Sequence, residues 1–167
     1  MNRRRGPEET NDIFNPTSRA PVAAANGKLI VNEEIMNILG WKTEEYELGY
    51  VAEKLTGYVF TVDGKPLEFN DFIPLDGHDI EEAGYLSDTQ SVESAPYLAC
   101  CTCGIIECDA VQAIVKFEGD SVAWSAFRYY YGKPTTLGEY RFGRAQYCET
   151  IRSLLEHVKK ASSSEGH

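Results

Sequence analysis

The stretch VQAIVKFEGDSVAWSAFRYYY at residues 111–131 decides the fold. Val111–Phe117 and Val122–Tyr131 are rich in β-branched and aromatic residues, which is typical of strands. Glu118-Gly119-Asp120 is a short connection between them and favours antiparallel pairing. Tyr97–Cys103 precedes them as a further strand, so residues 97–131 predict an antiparallel meander.

Alternation along the last of these strands assigns its aromatic residues to faces. Trp124 and Phe127 are an odd number of positions apart, so we expect them on opposite faces, with Trp124 in the core. Tyr129 and Tyr131 share one face, where they offer either sheet-edge packing or a binding patch.

A second hairpin is predicted near residues 58–69. Tyr58–Val62 has the composition of a strand. Asp63-Gly64 follows it and favours a tight turn in which both central residues have positive φ. Pro66 limits the returning segment to an edge strand or a short strand.

Helices complete an α+β fold in which a C-terminal helix covers the antiparallel sheet. The long helix is predicted over Arg144–Lys160, where apolar residues recur at spacings of three and four. Those residues are Tyr147, Ile151, Leu154, Leu155 and Val158. A short helix is expected over Glu33–Leu39, capped by Asn32, and another around Asp79–Ala83.

The 167 residues fit a single domain. We expect a flexible N-terminal segment over residues 1–28, one α+β domain over 29–160 and a flexible tail over 161–167. The basic start of the chain is not followed by the apolar run of a secretion signal. No run of about 18 apolar residues is present either, so no transmembrane helix is predicted. We expect a cytoplasmic protein that has no membrane partner.

Negative charge is concentrated in the first half of the chain. The formal net charge is −10, and residues 33–93 alone carry fifteen acidic and three basic residues. Such a field repels phosphate backbones, which argues against direct binding to nucleic acid. It attracts a basic protein and accelerates the encounter. The alternative is that the acidic surface has no partner and only keeps the protein in solution.

Four of the five cysteines lie in CCTCGIIEC, residues 100–108. On a strand Cys101 and Cys103 share a face and Cys100 points the other way. Gly104 permits the positive φ of a tight turn, so Cys108 can fold back toward the first two thiols. We therefore expect Cys101, Cys103 and Cys108 to converge.

Four chemical states of this cluster are open. They are reduced thiols packed beside the core, a zinc site, a disulfide and a catalytic thiol. We favour the reduced thiols, with no catalytic residue and no cofactor. If zinc binds, Cys101, Cys103 and Cys108 would be ligands, with Cys148 the preferred fourth and with His78, His157 and Asp109 as the alternatives.

Four motifs resemble a set of small uncharacterised bacterial proteins. They are a V-D-G-x-x-L turn at residues 62–67, the C-x-C-G-x3-C knuckle at 101–108, a V-x-W strand at 122–124 and an F-x-x-x-x-Y helix start at 142–147. Glu107 stands where those proteins have a glycine before the last cysteine. The chain is also similar in size and acidity to immunity proteins of bacterial toxin systems.

That similarity implies a protein that binds and neutralises a toxin and has no enzymatic activity of its own. We expect it to occlude the active site of a basic toxin domain through its acidic segment, residues 76–93, with Tyr85 as the anchor. The residues expected to bind the partner are Asp76, Asp79, Glu81, Glu82, Tyr85, Asp88 and Glu93. The alternative is a small zinc-binding structural module or a thiol-dependent enzyme centred on the Cys101–Cys108 knuckle.

Overall fold

The computed structural model describes residues 22–25, 28–31, 34–89, 91, 94–106, 108–129 and 131–164, with side chains from residue 35 onward. Its elements are, in order, β1 (Val22–Ala25), β2 (Lys28–Val31), β3 (Glu34–Met36), β4 (Leu39–Tyr46), β5 (Leu55–Val62), β6 (Lys65–Pro66), β7 (Phe72–Ile73), α1 (Gly77–Glu82), β8 (Tyr97–Cys101), β9 (Ala110–Glu118), β10 (Ser121–Tyr129), β11 (Tyr140–Gly143) and α2 (Arg144–Ser164). Most of the predicted flexible segment 1–28 and residues 165–167 of the predicted tail lie outside the described residues, whereas residues 161–164 belong to α2.

The predicted meander is confirmed as the centre of a five-stranded sheet. Its strand order is β11-β10-β9-β8-β7, and every pairing is antiparallel. Glu118 pairs with Ser121, so the β9–β10 connection has two residues. Gly119 there has φ +58°, which a residue without a Cβ adopts at little cost.

The predicted hairpin is confirmed within a second sheet of order β4-β5-β6. Asp63 and Gly64 have φ of +52° and +77°, as the turn chemistry requires. The Asp63 carboxylate also accepts hydrogen bonds from Asn37 Nδ2 and the backbone N–H of Ile38, each at 2.9 Å. The turn is therefore fixed by side-chain bonds as well as by its backbone.

The predicted helix over Glu33–Leu39 is wrong. β3 pairs with β2 in a third, antiparallel sheet, and β4 begins at Leu39 and pairs with β5 along its whole length. A helix of seven residues is marginal in isolation because nucleation is costly. Pairing across strands satisfies the same backbone groups and overrides the local capping signal.

The C-terminal helix packs on the sheets as predicted, which confirms the α+β class. Tyr147, Ile151, Leu154 and Val158 are fully buried, and Leu155 is half-buried against the same core. The buried Trp124 donates from Nε1 to Tyr147 Oη at 3.1 Å, joining α2 to the central sheet. No helix within the described residues is both long and apolar enough to cross a bilayer.

A bulge in β10 overturns the prediction that Trp124 and Phe127 face opposite ways. The β9–β10 register shifts between Ser125 and Arg128, and Ala126 has φ +51°. The extra residue breaks the alternation of side chains. Trp124 and Phe127 are consequently both buried in one core.

Candidate functional site

The acidic segment begins with the short helix α1, which exposes carboxylates and buries one apolar residue. Asp76 caps the helix, because its Oδ1 accepts a hydrogen bond from Asp79 N at 2.8 Å. Ile80 is completely buried, whereas Glu81 and Glu82 are exposed. The helix therefore directs its two glutamates outward.

The rest of the predicted partner-binding set divides by burial. Tyr85 is only 2% exposed, so we remove it from the candidate surface. Its hydroxyl donates to Tyr97 O, and burial raises its pKa well above the ordinary value. Asp88 is exposed and accepts from Phe117 N, which ties the segment to β9. Glu93 lies outside the described residues.

The cysteine turn, residues 101–108, brings three cysteines together. The Sγ atoms of Cys101, Cys103 and Cys108 all lie within 4.8 Å of one another, which confirms the predicted convergence. Cys101 and Cys103 are joined by a disulfide, with their Cα atoms 5.4 Å apart, and Cys108 is a free cysteine. The favoured state of three reduced thiols is therefore wrong for this pair, and the disulfide alternative is the one observed. Cys108 is exposed, whereas the other two are half-buried.

Two consecutive turns produce this convergence. The predicted strand over Tyr97–Cys103 is too long, since β8 ends at Cys101 and Cys103 lies in the first turn. Gly104 N donates to Cys101 O at 2.8 Å, and Cys108 N donates to Ile105 O at 3.1 Å. Gly104 has φ +76°, which confirms the predicted role of glycine. The turn returns directly into β9, since Cys101 N donates to Asp109 O at 2.9 Å.

The β4–β5 loop supports the cysteine turn from the second sheet. Tyr50 donates from its hydroxyl to Cys103 O at 2.8 Å. A Cβ built on Gly104 would lie 3.2 Å from Leu48 Cδ1 and 3.3 Å from Tyr50 Oη. This close approach and the positive φ together favour glycine at the position.

An open groove of about 420 Å³ adjoins Cys101. Phe72 and Tyr129 stack in it, with ring centroids 5.3 Å apart. Tyr131 is 71% exposed at the same groove. The full lining is Asn70, Asp71, Phe72, Cys101, Asp109, Tyr129, Tyr131 and Lys133.

Cys148 is not part of the cysteine cluster, which corrects the expected fourth ligand. It lies half-buried on α2 and packs against the core, while the cluster within the described residues holds only the three thiols of the turn. His157 packs on the Trp41 ring, at 5.0 Å between centroids, and His78 lies 3.9 Å from Glu82. Neither histidine joins the cluster.

Cys100 differs chemically from its neighbours. It is 2% exposed and faces the core, as alternation along β8 predicts. Burial, and secondarily the negative charge of Asp79, raises the pKa of Cys100 to about 11. A thiol in such a site is inert at neutral pH. Cys108, by contrast, is a free cysteine exposed to solvent.

Comparison of the chain with protein-family models, with curated proteins and with solved structures gave no match. The resemblance of its motifs to small bacterial proteins therefore stays a prediction. The geometry of the acidic segment and of the cysteine turn is what supports a function.

Proposed function

We propose that the chain is an acidic binding protein that neutralises a bacterial toxin by covering its basic active site. The observation that carries this proposal is the outward pair Glu81 and Glu82 on α1. These carboxylates belong to the half of the chain that holds most of the negative charge. An acidic face of this kind complements a cleft that binds an anionic substrate, and occlusion then blocks the substrate.

The charges of α1 act on the rate of encounter more than on the final affinity. Exposed carboxylates steer a basic partner over distances comparable with the Debye length, about 10 Å at 0.1 M salt and 3 Å at 1 M. Asp76 caps the helix by accepting a hydrogen bond from the backbone N–H of Asp79, so it positions the glutamates.

Co-expression with the products of adjacent genes tests the proposal. One of those products should arrest growth, and this chain should restore it. The double variant Glu81→Gln/Glu82→Gln should associate more slowly with the purified toxin at low salt, and the difference should shrink at high salt. Glu68→Gln/Glu149→Gln is the matched control, because it removes the same charge from exposed positions outside α1.

Two results would count against this assignment. If no adjacent product is neutralised, toxin inhibition is wrong. If the α1 variant associates at the wild-type rate at low salt, the acidic segment is not the docking surface.

A second candidate function belongs to a different class, a zinc-binding module or thiol enzyme centred on the cysteine turn. The convergence of three Sγ atoms within 4.8 Å favours it. The metal version has the better support, because a thiol nucleophile needs a nearby base. Neither His157 nor His78 supplies that base, because His157 packs on Trp41 and Tyr58 and His78 lies beside Glu82.

A further inference from the structure

We propose that Cys101, Cys103 and Cys108 bind one Zn²⁺ through three thiolates, and that the fourth coordination position is open to an external ligand. The inference rests on the second candidate function and specifies its ligand set. It is independent of toxin neutralisation, which would use the exposed face of α1.

The three sulfur atoms of the turn are gathered within the span of a zinc site, although two of them are bonded to each other. Zn–S bonds of about 2.3 Å at tetrahedral angles place ligand sulfurs roughly 3.8 Å apart. The three Sγ atoms already lie within 4.8 Å of one another. The disulfide between Cys101 and Cys103 must first be reduced by a small-molecule dithiol, which is itself oxidised to a disulfide as the S–S bond of the chain becomes two thiolates. The site therefore exists only in the reduced protein.

The backbone holds the ligands before any ion arrives. Cys101 is fixed at the end of β8 by its bond to Asp109 O, and Cys103 O is held by the Tyr50 hydroxyl. The positive φ of Gly104 places the second turn, which carries Cys108. A preformed turn of this kind loses little conformational entropy on binding a metal.

The cluster within the described residues consists of the three cysteines, and an external ligand would complete a tetrahedral site built on them. Cys108 is exposed, and Cys101 lines the open groove together with Asp71 and Lys133. Three protein ligands with one free position are typical of zinc sites that exchange a ligand, whereas purely structural sites are closed by four. Three thiolates and Zn²⁺ sum to a net charge of −1, which Lys133 at the groove can offset.

Zinc binding to the reduced full-length chain tests the ligand set. Wild type and Cys148→Ser should each bind one Zn²⁺ per chain in competition with a chromophoric chelator. Cys108→Ser should bind at least tenfold more weakly, because one of three thiolates is removed, with circular dichroism showing an unchanged fold. Wild-type zinc binding by Cys108→Ser would overturn the ligand set, and so would loss of zinc by Cys148→Ser.

Cobalt substitution tests the open position. Imidazole added to the Co²⁺-loaded chain should change its visible absorption, because the added ligand occupies the fourth position. Asp109→Asn should respond as wild type does. An unchanged spectrum on adding imidazole, or a response that appears only in Asp109→Asn, would show that the chain closes the site itself.

The toxin assay separates this inference from the first proposal. We expect Cys108→Ser to restore growth as well as the wild type does. Growth restoration by a wild-type chain that binds no zinc would support toxin neutralisation and refute the metal site. Zinc binding by a wild-type chain that neutralises no toxin would support the metal site and refute toxin neutralisation.

Discussion

Removing the Tyr147 hydroxyl tests how α2 is joined to the central sheet. This hydroxyl accepts from Trp124 Nε1 at 3.1 Å and donates to Tyr85 O at 2.7 Å, and both bonds are buried. Tyr147→Phe leaves the indole N–H and one carbonyl without these partners in an apolar core. A buried polar group left unsatisfied costs about 1–3 kcal/mol, so for the two groups together we expect a loss of about 2–6 kcal/mol in the free energy of unfolding.

Chemical denaturation followed by tryptophan fluorescence measures this loss. For a chain of this size the change corresponds to a fall in Tm of roughly 4–24 °C. Tyr131→Phe is the matched control, because Tyr131 is 71% exposed and its change should stay within about 0.5 kcal/mol. A loss below about 0.5 kcal/mol for Tyr147→Phe would refute the reasoning, since the two bonds could then not anchor the helix.

Three further changes test the core and the cysteine turn. Ile151→Ala should cost about 2–5 kcal/mol in urea unfolding, and Leu155→Ala about 1–2 kcal/mol, because only Ile151 is fully buried; equal losses would contradict the burial. Gly104→Ala should cost about 1–2 kcal/mol through its positive φ alone and weaken zinc binding; wild-type unfolding would contradict it. The pKa of Cys100 rises from 9.0 to about 11 on folding, so stability should fall as pH rises from 9 to 11, and Cys100→Ala should flatten that fall. At pH 7 iodoacetamide should label Cys108 before Cys100, as peptide mass spectrometry would show.

The parts of the fold that the sequence predicts are those in which local and tertiary preferences agree. The β9–β10 connection, the Asp63-Gly64 turn and the apolar face of α2 each carry a strong local signal. The structure adds long-range bonds to those elements without changing them. Confirmation of the α+β class follows from this agreement.

The wrong predictions arise where tertiary pairing overrides a local pattern. The segment Glu33–Leu39 has a helix cap and acidic residues in its first turn, yet β2 and β5 supply competing hydrogen bonds. The bulge at Ala126 cannot be read from composition, because alanine has no preference for positive φ.

Only those features of the candidate sites that depend on local structure could be predicted from the sequence. Local turn geometry is enough to predict the convergence of the cysteines, and strand alternation is enough to place Cys100 apart from Cys101. Burial of Tyr85 depends on β8 and α2, which are distant in sequence, and no local signal reports it. Exclusion of Cys148 likewise depends on how α2 packs.

The pairing of β8 with its neighbours determines which thiols meet solvent. Cys100 lies opposite Ala110 and Ile73, and Cys101 lies opposite Phe72 on β7. A slip of one residue would exchange the two faces, bringing Cys100 outward and carrying Cys101 into the core. In the reduced chain, where the bond between Cys101 and Cys103 is broken, the accessibility of Cys100 and Cys101 to alkylating reagents therefore reports strand alignment directly. A mispaired chain would be recognised by a reversed labelling pattern without any change in its composition.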